Sequence, residues 1–453
     1  MFYSTSLPYA ANAGGYFSTI ANLPWAAWLD SGGRGRYDIL VAQPVTTLET
    51  RSDKTKVSEG GREQIYSDDP FSLLRDKLGD RVANNLNVPF CGGALGYWGY
   101  DLARRWMTLP EQDGAVQGLP DMAVGIYDWA LVIDHYRQEV KLVSQLRNPE
   151  TVKNLPEILE RLQSKSKKIN EHFAATGAIT SNFSQAEYAS AFGRIHDYLI
   201  AGDCYQVNLA QRFTAPASGS PFEVYLRLRE ISPAPYAAYL NFPQGQILSA
   251  SPERFLQVRD GRVETKPIKG TRKRATDEAA DAQLIEDLRT NIKDRAENLM
   301  IVDLLRNDLS KNCATGSVKV EKMFEVESYA NVHHLVSTIT GRLVAGSDAL
   351  SLFKDCFPGG SITGAPKQRA MQIIAELEPQ RRGVYCGSIG YIGWDGNMDT
   401  NIAIRTLIYE KGAIHCSAGG GIIADSVMKA EYEETQHKAS GMLQTISEFS
   451  KAP

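Results

Sequence analysis

Three absences narrow the class of this chain before any motif is read. It has no C-x-x-C pair: its six cysteines, Cys91, Cys204, Cys313, Cys356, Cys386 and Cys416, stand far apart. Neither a zinc ribbon nor a disulfide framework is therefore expected, and they read as buried thiols of a reducing cytoplasm. No run of about eighteen apolar residues occurs, and Met1 to Ala11 shows no basic start ahead of an apolar stretch, so neither a membrane span nor an export signal is expected. The net charge of -4 comes without a long basic run, which argues against a nucleic-acid partner and leaves room for small anions. What remains is an ordinary globular composition, 453 residues with 43% hydrophobic and 23% charged, long enough for two domains or one fused core.

The pattern along the chain is a mixture of strands and helices. Tyr37 to Thr50 reads as a strand, Phe71 to Leu86 as a helix, and Ala123 to Asp134 with Glu139 to Ser144 as a long hairpin. A Lys-rich helix is expected from Pro149 to about Phe173, then a linker from Ala174 to Phe183 that divides the sequence into parts 1–175 and 184–447. Ser184 with Glu187 forms a capping box for the next helix. Further strands are expected at Cys204 to Phe213, Tyr236 to Phe242, Gln246 to Ala250 and Phe255 to Val258, and helices at Asp277 to Leu288, Asn291 to Leu309 and Lys429 to Ile446. The glycine-rich run Pro89 to Asp101 is not spaced as a dinucleotide loop.

Four stretches carry groups suited to chemistry. Lys269, in Pro267-Ile268-Lys269-Gly270-Thr271, follows the extended run Arg262 to Lys266; proline and glycine should set it on a stiff bend, where it is a nucleophile or a surface lysine. Phe357 to Lys367 is a glycine-rich loop entering a helix, an anion cradle or a tight turn, and it lacks the Gly-Lys-Ser/Thr of a P-loop. Ser417 to Ile422 exposes backbone amides, with Arg405 in the preceding strand as a carboxylate fork or a solvated side chain. Glu297, and Glu431, Glu433 and Glu434 at the start of the last helix, form oxygen-only patches that suit Mg²⁺ or simply answer a helix dipole.

Taken in order, Ser251-Pro252-Glu253-Arg254-Phe255, the Lys269 loop, Asp294 to Asp308, His333-His334-Leu335, Pro358 to Lys367, Gly387 to Tyr391 and Ala418 to Ile422 resemble the chorismate-utilising enzymes. The resemblance covers Ser184 to Gln444, and Leu23 to Asp134 is similar to the N-terminal region of the aminating members. It implies an α/β (α+β) fold in which two antiparallel β-sheets pack face to face with helices outside, the two sequence parts interleaved. It also implies amination of chorismate in the branch that leads to 4-aminobenzoate and folate. Anthranilate synthase components, which normally carry alanine at the Lys269 position and aminate C2, are the rival, with a non-catalytic chorismate-binding subunit as the other.

The resemblance assigns roles residue by residue. Lys269 would attack C2 as the C4 hydroxyl leaves, and ammonia would then add at C4 and expel the lysine, giving 4-amino-4-deoxychorismate. A lysine of pKa ~10.4 is neutral in only about one molecule in a few thousand at pH 7, so burial or nearby positive charge, with Arg272-Lys273-Arg274 a candidate, must favour the free amine. Gln206 stands where isochorismate and salicylate synthases have a lysine base, and a neutral amide is a poor activator of water. Glu297 and Glu434 would hold Mg²⁺ with Glu431 assisting through water. Arg405 and Tyr391 would grip the enolpyruvyl carboxylate, and Thr271 and the Gly421 amide the ring carboxylate. Glu253 or His334 would protonate the leaving hydroxyl. Leu29, Ser31, Tyr37, Pro235, Tyr236 and Ala237 resemble a tryptophan pocket. The sequence carries no Gly-x-Cys-x-Gly elbow, so ammonia is expected from a separate glutamine amidotransferase subunit.

Overall fold

Four short links carry the chain from one β-sheet to the other, and two of them begin inside runs that read as single strands. The computed structural model describes residues 2–112, 118–164, 172–329 and 332–450. Among these, one antiparallel sheet has 13 strands and a second has 12. Tyr37–Val41 lies in the first and Thr46–Arg51 in the second, so the expected strand from Tyr37 to Thr50 is two. The break falls where Gln43 takes a φ of +53° and Pro44 offers no N–H to a ladder. Met122–Tyr127 and Trp129–Asp134 likewise belong to different sheets, parted by Asp128, whose buried carboxylate accepts from the Arg147 and Asn148 amides.

The other two links matter most for function. Gly245–Ser251 passes to Arg254–Arg259 through Pro252-Glu253, and Met398–Asn401 passes to Thr406–Glu410 through residues 402–405. The links are tied together, because the Ile402 amide donates to the Glu253 carbonyl at 3.0 Å and the Ser251 hydroxyl to the Ile402 carbonyl at 2.6 Å.

Apolar side chains from both sheets, among them Val41, Leu95, Tyr127, Leu240 and Ile408, meet in one cluster between them. Helices cover the outer faces: Gly14–Ile20, Phe222–Ile231 and Met428–Glu448 pack on the first sheet, and Pro70–Leu78, Ile292–Ser310 and Ala349–Cys356 on the second. No helix of the described residues is long and apolar enough to cross a membrane. All six cysteines are buried free thiols.

Several elements differ from the sequence reading. The helix expected over Phe71 to Leu86 is Pro70–Leu78, capped by Asp69 and stopped at Gly79, whose φ is +66°. The helix from Pro149 ends at Gln163, and residues 165–171 of its expected range lie outside the described residues. The expected linker is sewn to an edge, since Ala174–Ala175 and Thr180–Ser181 both pair with the long strand Gln206–Ser218. The capping box at Ser184 and Glu187 forms as read.

Candidate active site

Lys269 stands in a β-bulge and not on a bend after a strand. In Ile268–Lys273, Ile268 opposes Val336 and Thr271 opposes His334, so three residues on one strand advance against two on the other. Gly270 takes up the extra residue with a φ of +87°, and a Cβ there would lie 2.9 Å from Leu288 and 3.0 Å from Asp294. The bulge re-aims Lys269, whose Nζ donates to the Ser361 carbonyl at 3.2 Å.

Ser361 comes from the glycine-rich loop, and its hydroxyl donates to Glu253 Oε1 at 2.7 Å. Glu253 sits on one inter-sheet link and is only 5% exposed. Burial pushes its carboxyl up to about 7, against the pull of the Ser361 bond, the Lys269 charge and the Ile268 amide. Burial pushes Lys269 down, and so does the positive charge of Lys438, while Glu297, Glu253 and Glu434 act the other way. The basic run after the loop is spent elsewhere: Arg272 pairs with Asp287 and Asp294, and Arg274 with Asp281.

Arg405 ends the other inter-sheet link with a φ of +52°. Its Nη1 donates to the Lys438 carbonyl, and burial lowers its basicity while Tyr385 and Glu434 support the charge. Thr271 Oγ1 lies 2.9 Å from His334 Nδ1. Burial, and then the Arg405 charge, hold His334 down at about 4. Thr271, His334, Arg405, Pro252 and Pro235 share the wall of a cavity of about 160 Å³.

The acidic groups gather beside Lys269. Glu297 is pushed up by burial and feels Glu431 and Glu434. Glu434 is held below the usual carboxylate range despite burial, through Lys438, whose Nζ lies 2.5 Å from its Oε1. Glu431 accepts from the Ser426 hydroxyl at 2.6 Å and faces Lys293 at 3.7 Å, yet its buried Oε2 has no hydrogen-bond partner. A Cβ on Gly420 would fall 2.9 Å from that oxygen and 3.8 Å from Glu434 Oε1, so glycine keeps the space before both carboxylates open. Among the described residues no three acidic, histidine or cysteine side chains form a closed metal cage. One or two carboxylates with open space suit a hard cation that takes its other oxygens from water and substrate.

Across residues 26–444 the chain matches the model of the chorismate binding enzyme family. It belongs to that family. It is 48% identical over 438 residues to aminodeoxychorismate synthase component 1 of Escherichia coli (strain K12), covering 95% of each chain. To anthranilate synthase component 1 of Pseudomonas aeruginosa it is 38% identical over 452 residues, covering 94% of this chain and 91% of the relative. The crystal structure of anthranilate synthase component I from Streptococcus pneumoniae superposes with a TM-score of 0.81 at 33% identity, covering 90% of this chain and 92% of that one.

Within this chorismate binding enzyme the expected residues are not all brought together. Tyr391 packs its ring 5.2 Å from Phe90 in the cluster between the sheets, and the charges that act on it are Asp399, Arg259, Asp395 and Arg254. Tyr385 favours the Arg405 charge electrostatically, and its ring faces the Arg382 guanidinium at 5.7 Å. Sequence reasoning missed Tyr385, Ser361 as a named residue, and Lys438. Only Lys438 left a signal, its spacing four residues after Glu434 on one helix.

Gly421 lies opposite Asn208, and a Cβ on it would meet Gln206 Nε2 at 2.7 Å. Of the tryptophan-pocket residues, Ser31 and Pro235 meet around Gly35, whose Cβ would lie 3.1 Å from Ser31 Cβ and 3.7 Å from the Pro235 carbonyl. Ala237 pairs with Asp30, Tyr37 lies under the Arg36 guanidinium at 4.7 Å, and Tyr236 under that of Arg254 at 5.1 Å.

Proposed function

We propose that this chorismate binding enzyme aminates chorismate at C4, giving 4-amino-4-deoxychorismate through a covalent intermediate on Lys269. The observation that carries the reading is the pairing, through Ser361, of Lys269 with Glu253, a carboxyl that keeps its proton up to about pH 7. Burial and Lys438 favour the free amine of Lys269, which attacks C2 while the C4 hydroxyl departs as water with the Glu253 proton. The Glu253 carboxylate then takes a proton from the alkylated nitrogen. Ammonia adds at C4, the ring double bonds shift back, and Lys269 leaves C2 as the amine when Glu253 returns that proton to its nitrogen; the ammonium formed at C4 restores the proton to Glu253.

His334, held neutral to about pH 4, has no proton of that acidity to give, and its bond to Thr271 suits it to positioning. Arg405 is proposed for the enolpyruvyl carboxylate, with Tyr385, which favours its charge, as an alternative to the expected Tyr391, and Thr271 and the Gly421 amide for the ring carboxylate. The space before Glu297 and Glu434, with the free oxygen of Glu431, fits Mg²⁺, which when bound supplies positive charge to the ring carboxylate. Gln206 in place of a base disfavours attack by water.

Ammonia is assigned to a glutamine amidotransferase subunit, in keeping with the component 1 names of the relatives. Buried free thiols accord with a reducing cytoplasm. Ser31, Tyr37, Pro235, Tyr236 and Ala237 are proposed to hold tryptophan as a structural ligand. The test is incubation with chorismate, Mg²⁺ and ammonium chloride, read by mass spectrometry. The expected product is aminodeoxychorismate without anthranilate; anthranilate alone would favour the C2 chemistry, and no chorismate consumption would leave only binding.

A further inference from the structure

The strand that bears the nucleophile is poorly held by its own sheet. Ile268–Lys273 is the last strand of the 12-stranded sheet, and among the described residues it pairs with Val332–Arg342 alone. An edge strand has one row of backbone groups without a ladder partner. Ile268 faces Val336, and Thr271 to Lys273 face His334 to Val332, so Lys269 and Gly270 have no partner in that ladder. A side chain on so loose a stretch has no fixed aim of its own, yet Lys269 Nζ meets the Ser361 carbonyl.

The helix Glu278–Thr290 covers that edge. Of its 13 residues Asp281 and Leu288 are buried, and their spacing of seven puts them two turns apart on one face, about 10 Å along the axis. Each meets the strand at a different place. Leu288 presses on Gly270, where a Cβ would come within 2.9 Å of its Cδ1. Asp281 takes the guanidinium of Arg274, just past the strand, with Nε at 2.8 Å and Nη2 at 2.6 Å. Gly270 and Arg274 stand about 13 Å apart in extended chain, so helix and strand run side by side in opposite directions. Between the two ends Arg272 Nε donates to Asp287 at 2.6 Å.

Asp281 also reaches the sheet behind the strand. Its Oδ1 accepts from the Ala275 amide at 2.9 Å and lies 3.0 Å from His333 Nε2. His333 is 0% exposed, and its Nδ1 lies 2.7 Å from Ser328 Oγ. One carboxylate therefore joins the helix, the exit of the nucleophile strand and the two strands behind it. Successive residues of a strand point to opposite faces, so His334 turns to Thr271 and the substrate cavity while His333 turns to the helix. Neither Asp281 nor Leu288 lines that cavity. We propose that Asp281 is a positioning residue for Lys269: through Arg274 and His333 it anchors the helix that presses Leu288 onto Gly270, and so keeps the bulge and its amine aimed at Ser361. The proposal rests on Lys269 as the nucleophile of the amination reading.

Asp281→Asn keeps the size of the side chain and gives up the charge that holds the Arg274 fork, and Leu288→Ala lifts the pressure on Gly270. Each variant should form the chorismate adduct on Lys269, without ammonia, at least about ten-fold more slowly at saturating chorismate, because a small misplacement of a reacting group is felt in the rate. The adduct should still reach the parent's final level, with the KM for chorismate within about two-fold. Amide hydrogen exchange should quicken in the peptide 266–275 and keep the parent rate in the peptide around Arg405. Adduct that forms at the parent rate but stops at a lower level would mark a misfolded fraction and overturn the proposal. A raised KM with an unchanged rate would overturn it too, by making the helix a support for binding. If one variant does not fold, the other decides by the same readings. A parent protein that forms no adduct would sink the amination reading instead, and exchange in 266–275 would still show whether Asp281 holds the bulge.

Discussion

Glu253 Oε1 accepts a 2.7 Å hydrogen bond from the Ser361 hydroxyl, and the carbonyl of that same serine accepts from Lys269 Nζ. One residue of the glycine-rich loop thus sets the distance between a nucleophile and an acid that come from different strands.

Replacing Lys269 by alanine removes the nucleophile and little else, because among the described residues its Nζ hydrogen-bonds a single loop carbonyl, that of Ser361. Turnover at C4 should drop by at least about a thousandfold, with the chorismate adduct gone from the loop peptide in mass spectra. An unchanged rate would rule out the covalent route.

The pH profile should carry the mark of Glu253. Burial raises its carboxyl to about 7, so the acid form is complete well below that value and is lost as pH rises through it. Adduct formation should therefore decline above about pH 7 in the parent. Glu253→Gln should be slower by roughly a hundredfold or more and lose this alkaline limb; a limb that survives belongs to another group.

Two tyrosines offer an internal comparison. Tyr385→Phe, beside Arg405, should raise the KM for chorismate about ten-fold, the worth of one hydrogen bond to a charged group. Tyr391→Phe, packed on Phe90, should leave KM within about two-fold. Steady-state kinetics of the pair would show a reversed order if Tyr391 held the carboxylate.

Chelation by EDTA should abolish chorismate consumption without unfolding the protein, as followed by circular dichroism. Glu297→Gln and Glu434→Gln should each raise the Mg²⁺ concentration needed for half activity by about ten-fold or more. A flat response to Mg²⁺ in the parent would remove the metal from the site.

Arg382 and Glu378 form a buried pair at 2.6 Å, with Arg382 also donating to the Ile362 and Asn208 carbonyls. Arg382→Met leaves the Glu378 charge uncompensated and should cost about 3–5 kcal/mol in urea unfolding, part of which the double variant with Glu378→Gln should recover.

Part of the candidate site was legible in the chain because it is carried by motifs: Lys269 and Glu253 meet at Ser361, and Thr271 and His334 share a cavity wall with Arg405. The failures have one cause. Tyr385 and Tyr391 are six residues apart in sequence, and how each sits relative to Arg405 depends on how residues 402–405 turn between the sheets. The same three-dimensional ignorance fused Tyr37–Val41 with Thr46–Arg51, since alternation shows that a run is extended and not which sheet receives it. The bulge at Gly270 was hidden for the same reason: proline and glycine announce a departure from regular structure without its kind.

The inter-sheet links also govern how the protein must fold. Gly93–Trp98 pairs with Ser388–Gly393, and Ala27–Asp30 with Tyr236–Phe242, so neighbouring strands are separated by hundreds of residues of chain. Closing such loops costs entropy before any pairing rewards it, which makes assembly slow and late strands decisive. Either half of the sequence made alone would leave fully buried strands such as Gly93–Trp98 with a bare edge, an invitation to aggregate. Ser361, which joins acid to nucleophile, is made about ninety residues after Lys269, so the pairing forms only once the second half of the chain is present.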